Sequence, residues 1–332
     1  MQTICDISEL RQPLQASVVT VGNFDGVHVG HQRLLRRVVQ RAQEAAALSA
    51  VLTFDPHPTC VLAPDRAPKL LTPLPEKIAL IEATGIEVLW VRPFTLELSR
   101  MSPAEFFDEA LVRGLRARVV VVGPNFRFGH RQAGDVQLLM QLGRERGIEV
   151  EVMEATRVRG QMASSTRIRE LAALGRVNLA GRLLGRPFSV SGPIVPGSGI
   201  GRQQTVPTLN LAHVDRMLDG QPPRQLPRSG VYVTRTRVAG SEHESVTNVG
   251  RKPTFGEHEL TVEPYLLDYR DGHIEADTME IQFLHRLREE RKFPDASALK
   301  AQIMRDAERS LGYFRRLRLF RRVRAASPGE SR

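Results

Sequence analysis

The stretch Gly22-Asn23-Phe24-Asp25-Gly26-Val27-His28-Val29-Gly30-His31 constrains this chain more than any other. It follows an apolar run, Ser17 to Val21, and precedes a pattern of 3.6-residue period carried by Leu34, Leu35, Val38, Val39 and Ala42. A strand, a tight turn and a helix N-terminus are expected. Gly22, Gly26 and Gly30 permit backbone angles that a Cβ resists, so the chain can fold closely round a ligand before the helix begins. Free N–H groups and the positive end of the helix suit phosphate. His28 and His31 are three apart, so a helix begun by His28 sets both rings on one face, within reach of one triphosphate. The turn reads as a nucleotide site.

Through the rest of the first half, β-rich runs at residues 17–21, 50–54, 87–91, 118–123 and 148–153 alternate with helical patterns. Ser102-Pro103-Ala104-Glu105 starts one of those helices with an N-cap, a proline at N1 and an acidic first turn. Such alternation implies a parallel sheet covered on both faces, with ligands at the carboxyl ends of its strands. Past Leu184-Gly185-Arg186-Pro187 the character changes. Residues 188–195, 230–238, 245–249, 260–269 and 279–287 are strand-like and separated by Gly and Pro, as in an antiparallel barrel or sandwich. A long amphipathic pattern over 296–320 puts Leu299, Ile303, Leu311 and Phe314 on an apolar stripe for that sheet. The boundary is expected in a helical connection between Gly175 and Leu184.

With 332 residues the chain is long enough for two cores. Cys5 and Cys60 stand far apart, without a CxxC or Cys/His cluster, so neither a disulfide framework nor a structural zinc site is supported. The opening residues have no basic region followed by an apolar core, and no later stretch approaches a membrane span, which implies a cytoplasmic location. The formal charge is +10, but from Tyr313 onward seven arginines against Glu330 give +6, leaving +4 for the rest. The basic excess belongs to the tail and makes a weak case for nucleic acid.

Three more segments lie at ends of expected strands or at a helix start: Asp55-Pro56-His57-Pro58, Gly123-Pro124-Asn125-Phe126-Arg127-Phe128-Gly129, and Ser164-Ser165-Thr166-Arg167-Ile168-Arg169. Singly they read as a proline turn, a loop packed by Phe126 and Phe128, and an N-cap. Together with Gly22 to His31 they resemble the bifunctional bacterial riboflavin kinase/FAD synthetase family. The His-x-Gly-His core is similar also to class I aminoacyl-tRNA synthetases, but those have a Lys-Met-Ser-Lys-Ser-like loop, and Ser164 to Arg169 stands in its place. The resemblance implies a Rossmann-like nucleotidyltransferase domain over residues 1–183 that transfers an adenylyl group from ATP to FMN. It places Gly22, Asn23, Phe24, Gly26, His28, His31, Ser164, Thr166 and Arg167 on ATP, with His28 and His31 catalytic. Asp55, His57, Asn125 and Arg127 lie towards the flavin, Asn125 standing where family members often carry Asp.

In the second half Gly192, Gly197, Gly199, Gly201 and Arg202 are followed closely by Val206-Pro207-Thr208-Leu209-Asn210. The glycines can wrap phosphate through backbone N–H groups, although the GK[ST] ending of a Walker A loop is missing. Thr208 and Asn210 share a side of an extended segment and offer hard oxygens to Mg²⁺. Glu263 sits in an apolar run, where it either faces solvent by alternation or lines a polar pocket. The family resemblance implies an antiparallel β-barrel riboflavin kinase domain over residues 184–320, closed by a long C-terminal helix; it leaves the arginine-rich end unexplained, and 321–332 read as a basic, disordered tail. It puts Gly192, Gly197, Gly199, Gly201, Arg202, Thr208 and Asn210 on ATP, Thr208 and Asn210 on Mg²⁺, and Asn248, Arg288 and Glu289 on the flavin. Glu263 becomes the base. Where family members carry Asp-Leu-Tyr-Gly, this chain reads Arg270-Asp271-Gly272-His273-Ile274-Glu275.

The implied function is ATP-dependent conversion of riboflavin to FMN and of FMN to FAD, with Mg²⁺ as cofactor. Its partners are riboflavin, FMN, FAD and ATP, with no nucleic acid or membrane; the oligomeric state stays open. Two other readings stand beside it: an adenylyltransferase whose C-terminal domain only binds flavin, motivated by the altered loop, and a nucleic-acid-binding module. The second expects a row of stacking aromatics, which a 5% aromatic content does not offer.

Overall fold

The computed structural model describes every residue except 12–13, 196–208, 213–221, 255–256, 270–273, 275 and 327–332. The described residues fall into two compact units. Met1–Ile168 and Leu183–Gly185 belong to the first, and Arg169–Arg182 with most residues from Arg186 onward to the second.

The first unit is built on a parallel sheet of β1 (Gln2–Ile4), β2 (Ser17–Val21), β3 (Leu48–Asp55), β4 (Val88–Pro93), β5 (Ala117–Val122) and β6 (Glu149–Val152). Their order is β1-β4-β3-β2-β5-β6. Helices α1 (Val29–Glu44), α2 (Pro58–Leu62), α3 (Leu74–Glu82), α4 (Leu96–Arg100), α5 (Pro103–Phe106) and α6 (Val136–Glu145) lie between the strands, and a π-helical segment, Phe107–Gly114, continues α5. Alternate residues of one strand feed opposite cores, as the period of two requires. Val18, Val51 and Val119 pack with Leu35 and Val38 of α1, while Val19, Leu52 and Val120 pack with Phe107 and Leu111. All five expected strands are present. β1 was not expected; with three residues, of which only Ile4 is buried, it is too short to carry a period.

Strand order turns that sheet into a site. The chain runs outward from β2 through β3 to β4, then returns to the other side of β2 as β5. The reversal at β2 and β5 opens a crevice at their carboxyl ends. The Gly22 turn leaves β2 there and the Gly123 loop leaves β5. A short hairpin, β7 (Arg157–Val158) with β8 (Gln161–Met162), precedes α7 (Ser165–Ala173) and α8 (Val177–Leu184).

The second unit is antiparallel: β9 (Phe188–Val195), β10 (Asn210–Leu211), β11 (Gly230–Val238), β12 (Ser241–Thr254), β13 (Glu257–Leu266) and β14 (Thr278–Arg288), in the order β10-β9-β14-β11-β12-β13. Leu209 N–H donates to Pro264 O at 3.3 Å, bridging the two ends of the sheet into a nearly closed barrel. Tyr232, Thr234, Thr236, Ser245, Thr247, Val249, Val262 and Leu266 are buried on its inner face. Four of them satisfy one another: Thr236 Oγ1 to Ser245 Oγ is 2.9 Å, Ser245 Oγ to Thr234 Oγ1 2.8 Å, and Thr234 Oγ1 to Thr247 Oγ1 2.7 Å.

The opposite face carries α9 (Ala296–Ala326). Arg235 lies 5.9 Å over the Phe314 ring, Arg318 pairs with Glu244, and Arg288 pairs with Asp306. The expected apolar stripe is only partly realised. Phe314 is buried, but Leu299 and Leu311 are exposed, and Gln302, Asp306, Ala307 and Ser310 take the inward positions. The barrel offers α9 arginines, so a polar stripe matches it better than leucines. The helix also runs past the expected end at Phe320, because Arg321 to Ala326 are mostly good helix formers and the first breaker is Pro328.

Candidate active sites

In the first unit, the turn after β2 bends through Phe24 (φ +49°), Gly26 (φ +85°) and Val27 (φ +35°). Phe24 and Val27 in the left-handed region are strained and need support. Asp25 supplies it: its buried carboxylate accepts the Leu71 N–H at 3.1 Å and the Thr72 N–H at 3.0 Å. Of the three glycines expected to relax the backbone, only Gly26 adopts a positive φ. The other two serve close approach, since a Cβ at Gly22 would lie 3.2 Å from the Phe24 ring and one at Gly30 3.1 Å from the His28 ring.

His28 caps α1 rather than lying inside it. Its Nδ1 accepts the His31 N–H at 3.3 Å, which leaves the proton of a neutral ring on Nε2. The two imidazoles stack with centroids 3.6 Å apart and planes 19° off parallel. They share one face as expected, through a cap instead of helical spacing. Burial first, then the charge of His28 and of Lys77, hold His31 well below the ordinary imidazole range. Ser165 Oγ donates to Asp25 O at 2.8 Å, and Ser164 Oγ accepts the Arg167 N–H at 3.2 Å. The segment from Ser164 to Arg167 is thereby brought to the turn, with Thr166 exposed and Arg167 half-buried.

Asp55 ends β3, and His57 caps α2 through Nδ1, which accepts the Thr59 N–H at 3.3 Å. His57 Nε2 lies 3.3 Å from the Asn23 side-chain amide, joining the two halves of the expected site. Phe54, Phe106, Phe128 and Phe126 form a chain of ring contacts, ending in a stacked pair 5.5 Å apart, that links the end of β3 to the Asn125 loop. Asn125 and Arg127 are exposed there, Arg127 lying 3.7 Å from Asp135. All four segments singled out in the sequence therefore meet at one sheet edge.

Two residues of this edge were missed. Asp25 stood inside the quoted string without a role. Lys77 of α3 is only 7% exposed, and its Nζ donates to Asn23 O at 3.3 Å, Thr53 Oγ1 at 3.5 Å and Phe54 O at 3.5 Å. Its signal was a lysine in the inward stripe of Leu74, Ile78 and Ile81.

In the second unit the register aligns Arg288 of β14 with Val231 of β11, Val231 with Asn248 of β12, and Asn248 with Glu263 of β13. Directly paired residues share a face. Asn248, Glu263 and Arg288 thus form one row across four strands, on the face that carries α9. Glu263 is half-buried there, outside the barrel interior. The Leu209–Pro264 bond brings Asn210, 7% exposed, to the end of the row. Arg288 is engaged: its Nε and Nη2 donate to Asp306 Oδ2 at 2.9 and 2.8 Å, while Gln302 Nε2 donates to Asp306 Oδ1 at 2.9 Å. Glu289 is exposed, 3.4 Å from Arg228. Its neighbour Glu290, not singled out, lies over Gly250, where a Cβ would fall 2.0 Å from Glu290 Oε1. Gly192 lies in β9 opposite Met279. Gly197, Gly199, Gly201, Arg202 and Thr208 lie outside the described residues.

A parallel sheet with a histidine-capped helix at its switch point, and a barrel with a carboxylate–amide row, define a two-site enzyme of phosphorus-group transfer. A family profile described as FAD synthetase matches residues 10–167, and one described as riboflavin kinase matches residues 184–314. The chain is 35% identical to the bifunctional riboflavin kinase/FMN adenylyltransferase of Pseudomonas fluorescens, over 92% of this chain and 96% of that one. It is 33% identical to the Bacillus subtilis protein of the same name, over 93% and 96%. A solved Streptococcus pneumoniae structure described as a macrolide-efflux protein has a similar fold, with TM-score 0.79 and 27% identity over 92% of this chain and 97% of that one. Among the described residues no helix is long and apolar enough to cross a membrane. The chain belongs to the bifunctional riboflavin kinase/FMN adenylyltransferase family.

Proposed function

We propose that the two activities of this family are divided along the chain: adenylyl transfer in residues 1–183 and riboflavin phosphorylation in residues 184–320, followed by a basic tail. As a member of the family the enzyme uses ATP twice, first to make FMN from riboflavin and then to make FAD from FMN. The observation that carries the reading is that each half holds a constellation suited to one step and not to the other.

In the first step a ribityl hydroxyl oxygen attacks the γ-phosphorus of ATP and ADP leaves. An alcohol stays protonated at neutral pH, so a carboxylate beside it helps. Glu263 takes that proton, Asn248 binds flavin next to it, and Arg288 and Glu289 border the flavin side. Gly192, Gly197, Gly199, Gly201 and Arg202 receive ATP. Thr208 and Asn210, as hard oxygen donors, would hold Mg²⁺, which when bound offsets phosphate charge.

In the second step an oxygen of the FMN phosphate attacks the α-phosphorus of a second ATP and pyrophosphate leaves. A phosphomonoester has its second pKa at about 6, so the nucleophile is already ionised. Donors and cations are needed, not a base. His28 Nε2–H and His31 hold the triphosphate with the N–H groups of Gly22 to Gly26, Phe24 supports that turn, and Asn23 orients the nucleotide. Ser164, Thr166 and Arg167 receive the pyrophosphate. Asp55, His57, Asn125 and Arg127 face the flavin beside the Phe126–Phe128 pair. Both steps draw on ATP, so we assign the enzyme to the cytoplasm, with small molecules as its partners.

Incubation with riboflavin and Mg-ATP, followed by separation of flavins, tests this. His28→Ala with His31→Ala should accumulate FMN without FAD. Glu263→Gln should make FAD only from supplied FMN. Loss of both products in each variant overturns the division.

A further inference from the structure

We propose that Lys77 is a positioning residue for adenylyl transfer, acting through the two backbone segments that its ammonium ties together. The inference rests on the assignment of that reaction to the first unit. Lys77 Nζ bonds the carbonyl of Asn23, in the turn after β2, and the carbonyl of Phe54, one residue before Asp55. It also bonds Thr53 Oγ1 on β3. Asn23 in turn faces His57 at 3.3 Å. One buried cation therefore sets the spacing between the segment assigned to ATP and the segment assigned to flavin. In-line attack depends on that spacing, and a misplacement of about 1 Å costs on the order of 100-fold in rate.

Stability alone gives no reason for a lysine here. All three of its hydrogen bonds are long, 3.3 to 3.5 Å, and among the described residues no carboxylate lies within ion-pair distance of it. Burial pushes its pKa down, and the fields of Asp25 and Asp55 only oppose that. A buried charge so thinly compensated is replaced by an apolar side chain of similar size at little cost, and often with a gain. Its ammonium also lies near enough to His31 to disfavour imidazolium there. Lys77 is 7% exposed and its Nζ is turned to the carbonyls of Asn23 and Phe54, so it acts on the substrates through these two segments.

The test is Lys77→Met in the full chain, with Lys77→Gln as a second variant. Trp90, the single tryptophan, lies on β4 of the first unit, so its fluorescence follows unfolding of that unit alone. The expected result is a melting midpoint equal to or above that of the parent, kcat for FAD formation from FMN lower by about 100-fold, and KM for ATP and FMN changed less than threefold. FMN formation from riboflavin should stay within twofold. A lowered midpoint, or failure of the Met variant to fold, would make Lys77 a structural tie and overturn the proposal. So would an unchanged kcat, while a loss confined to KM would make it a substrate contact. His28→Ala with His31→Ala serves as the parallel arm: if that variant still makes FAD, the site assignment itself fails, independently of Lys77.

Discussion

The first site is held by side chains bonded to its backbone, and the second by strand register backed by one side-chain pair. Around β2, Asp25 fastens the turn to Leu71 and Thr72, His28 caps α1, and Ser165 ties a later helix to the Asp25 carbonyl. Across the barrel, register alone lines up Glu263, Asn248 and Arg288, and the Arg288–Asp306 pair binds the row to α9. The chemistry differs in the same sense. Attack by an ionised phosphate needs fixed donors, the role we propose for the turn and cap, and attack by an alcohol needs a base, the role we propose for Glu263. What the contrast teaches is that the two sites should break differently, the first by small displacements and the second by loss of charge.

The largest effect separates them by chemistry. Glu263→Gln keeps shape and removes the proposed base, so FMN formation should fall by about 100- to 10,000-fold with FAD formation from supplied FMN intact. Stopped assays of both products decide it, and an equal fall in both would erase the distinction. Next comes the tie to α9. Asp306 is 2% exposed, so Asp306→Ala leaves Arg288 without its carboxylate and should destabilise the second unit by about 3–5 kcal/mol. All four tyrosines, at 232, 265, 269 and 313, belong to that unit. Tyrosine near-ultraviolet dichroism should therefore melt early while Trp90 fluorescence does not move. A smaller effect tests displacement. Gly30→Ala puts a methyl group 3.1 Å from the His28 ring, shifting it by a few tenths of an ångström. FAD formation should drop by about 10-fold with FMN formation unaltered, a fraction of the roughly 100-fold that a full ångström brings.

Much of this was legible because periodicity and punctuation are local. Valine runs announced the buried strands of both sheets, and the string from Gly22 to His31 announced the turn. Whatever depended on pairing between distant residues was not legible. The register that joins Glu263 to Asn248 and Arg288 comes from closing a barrel. The inward polar stripe of α9 made sense only once Arg235 and Arg288 were known to lie beneath it, since helical periodicity favoured Leu299 and Leu311. Glycine was misread in a similar way. Gly22 and Gly30 stand where rings approach the backbone, a demand set by Phe24 and His28 rather than by φ. Lys77 was hidden because a lysine in a helix is ordinarily solvated, and only its burial makes it unusual.

The smallest predicted effect concerns protons at His31 and again sets the first site apart. Folding depresses the pKa of this ring, chiefly by burial. The unfolded chain, with an imidazole pKa of about 6.5, therefore takes up a proton that the folded one resists. Above about pH 6.5 both forms are neutral and this contribution to stability is complete. As the pH falls below that value the contribution is lost, with a slope of at most about 1.4 kcal/mol per pH unit, until the folded ring also titrates. His31→Gln keeps a polar, neutral side chain and removes the proton. Urea unfolding followed by Trp90 fluorescence at neutral and mildly acidic pH should show the parent losing stability on acidification faster than the variant. Equal losses would mean that the folded ring takes up a proton as readily as the unfolded one, and a slower loss in the parent than in the variant would mean that the folded ring is already an imidazolium at neutral pH.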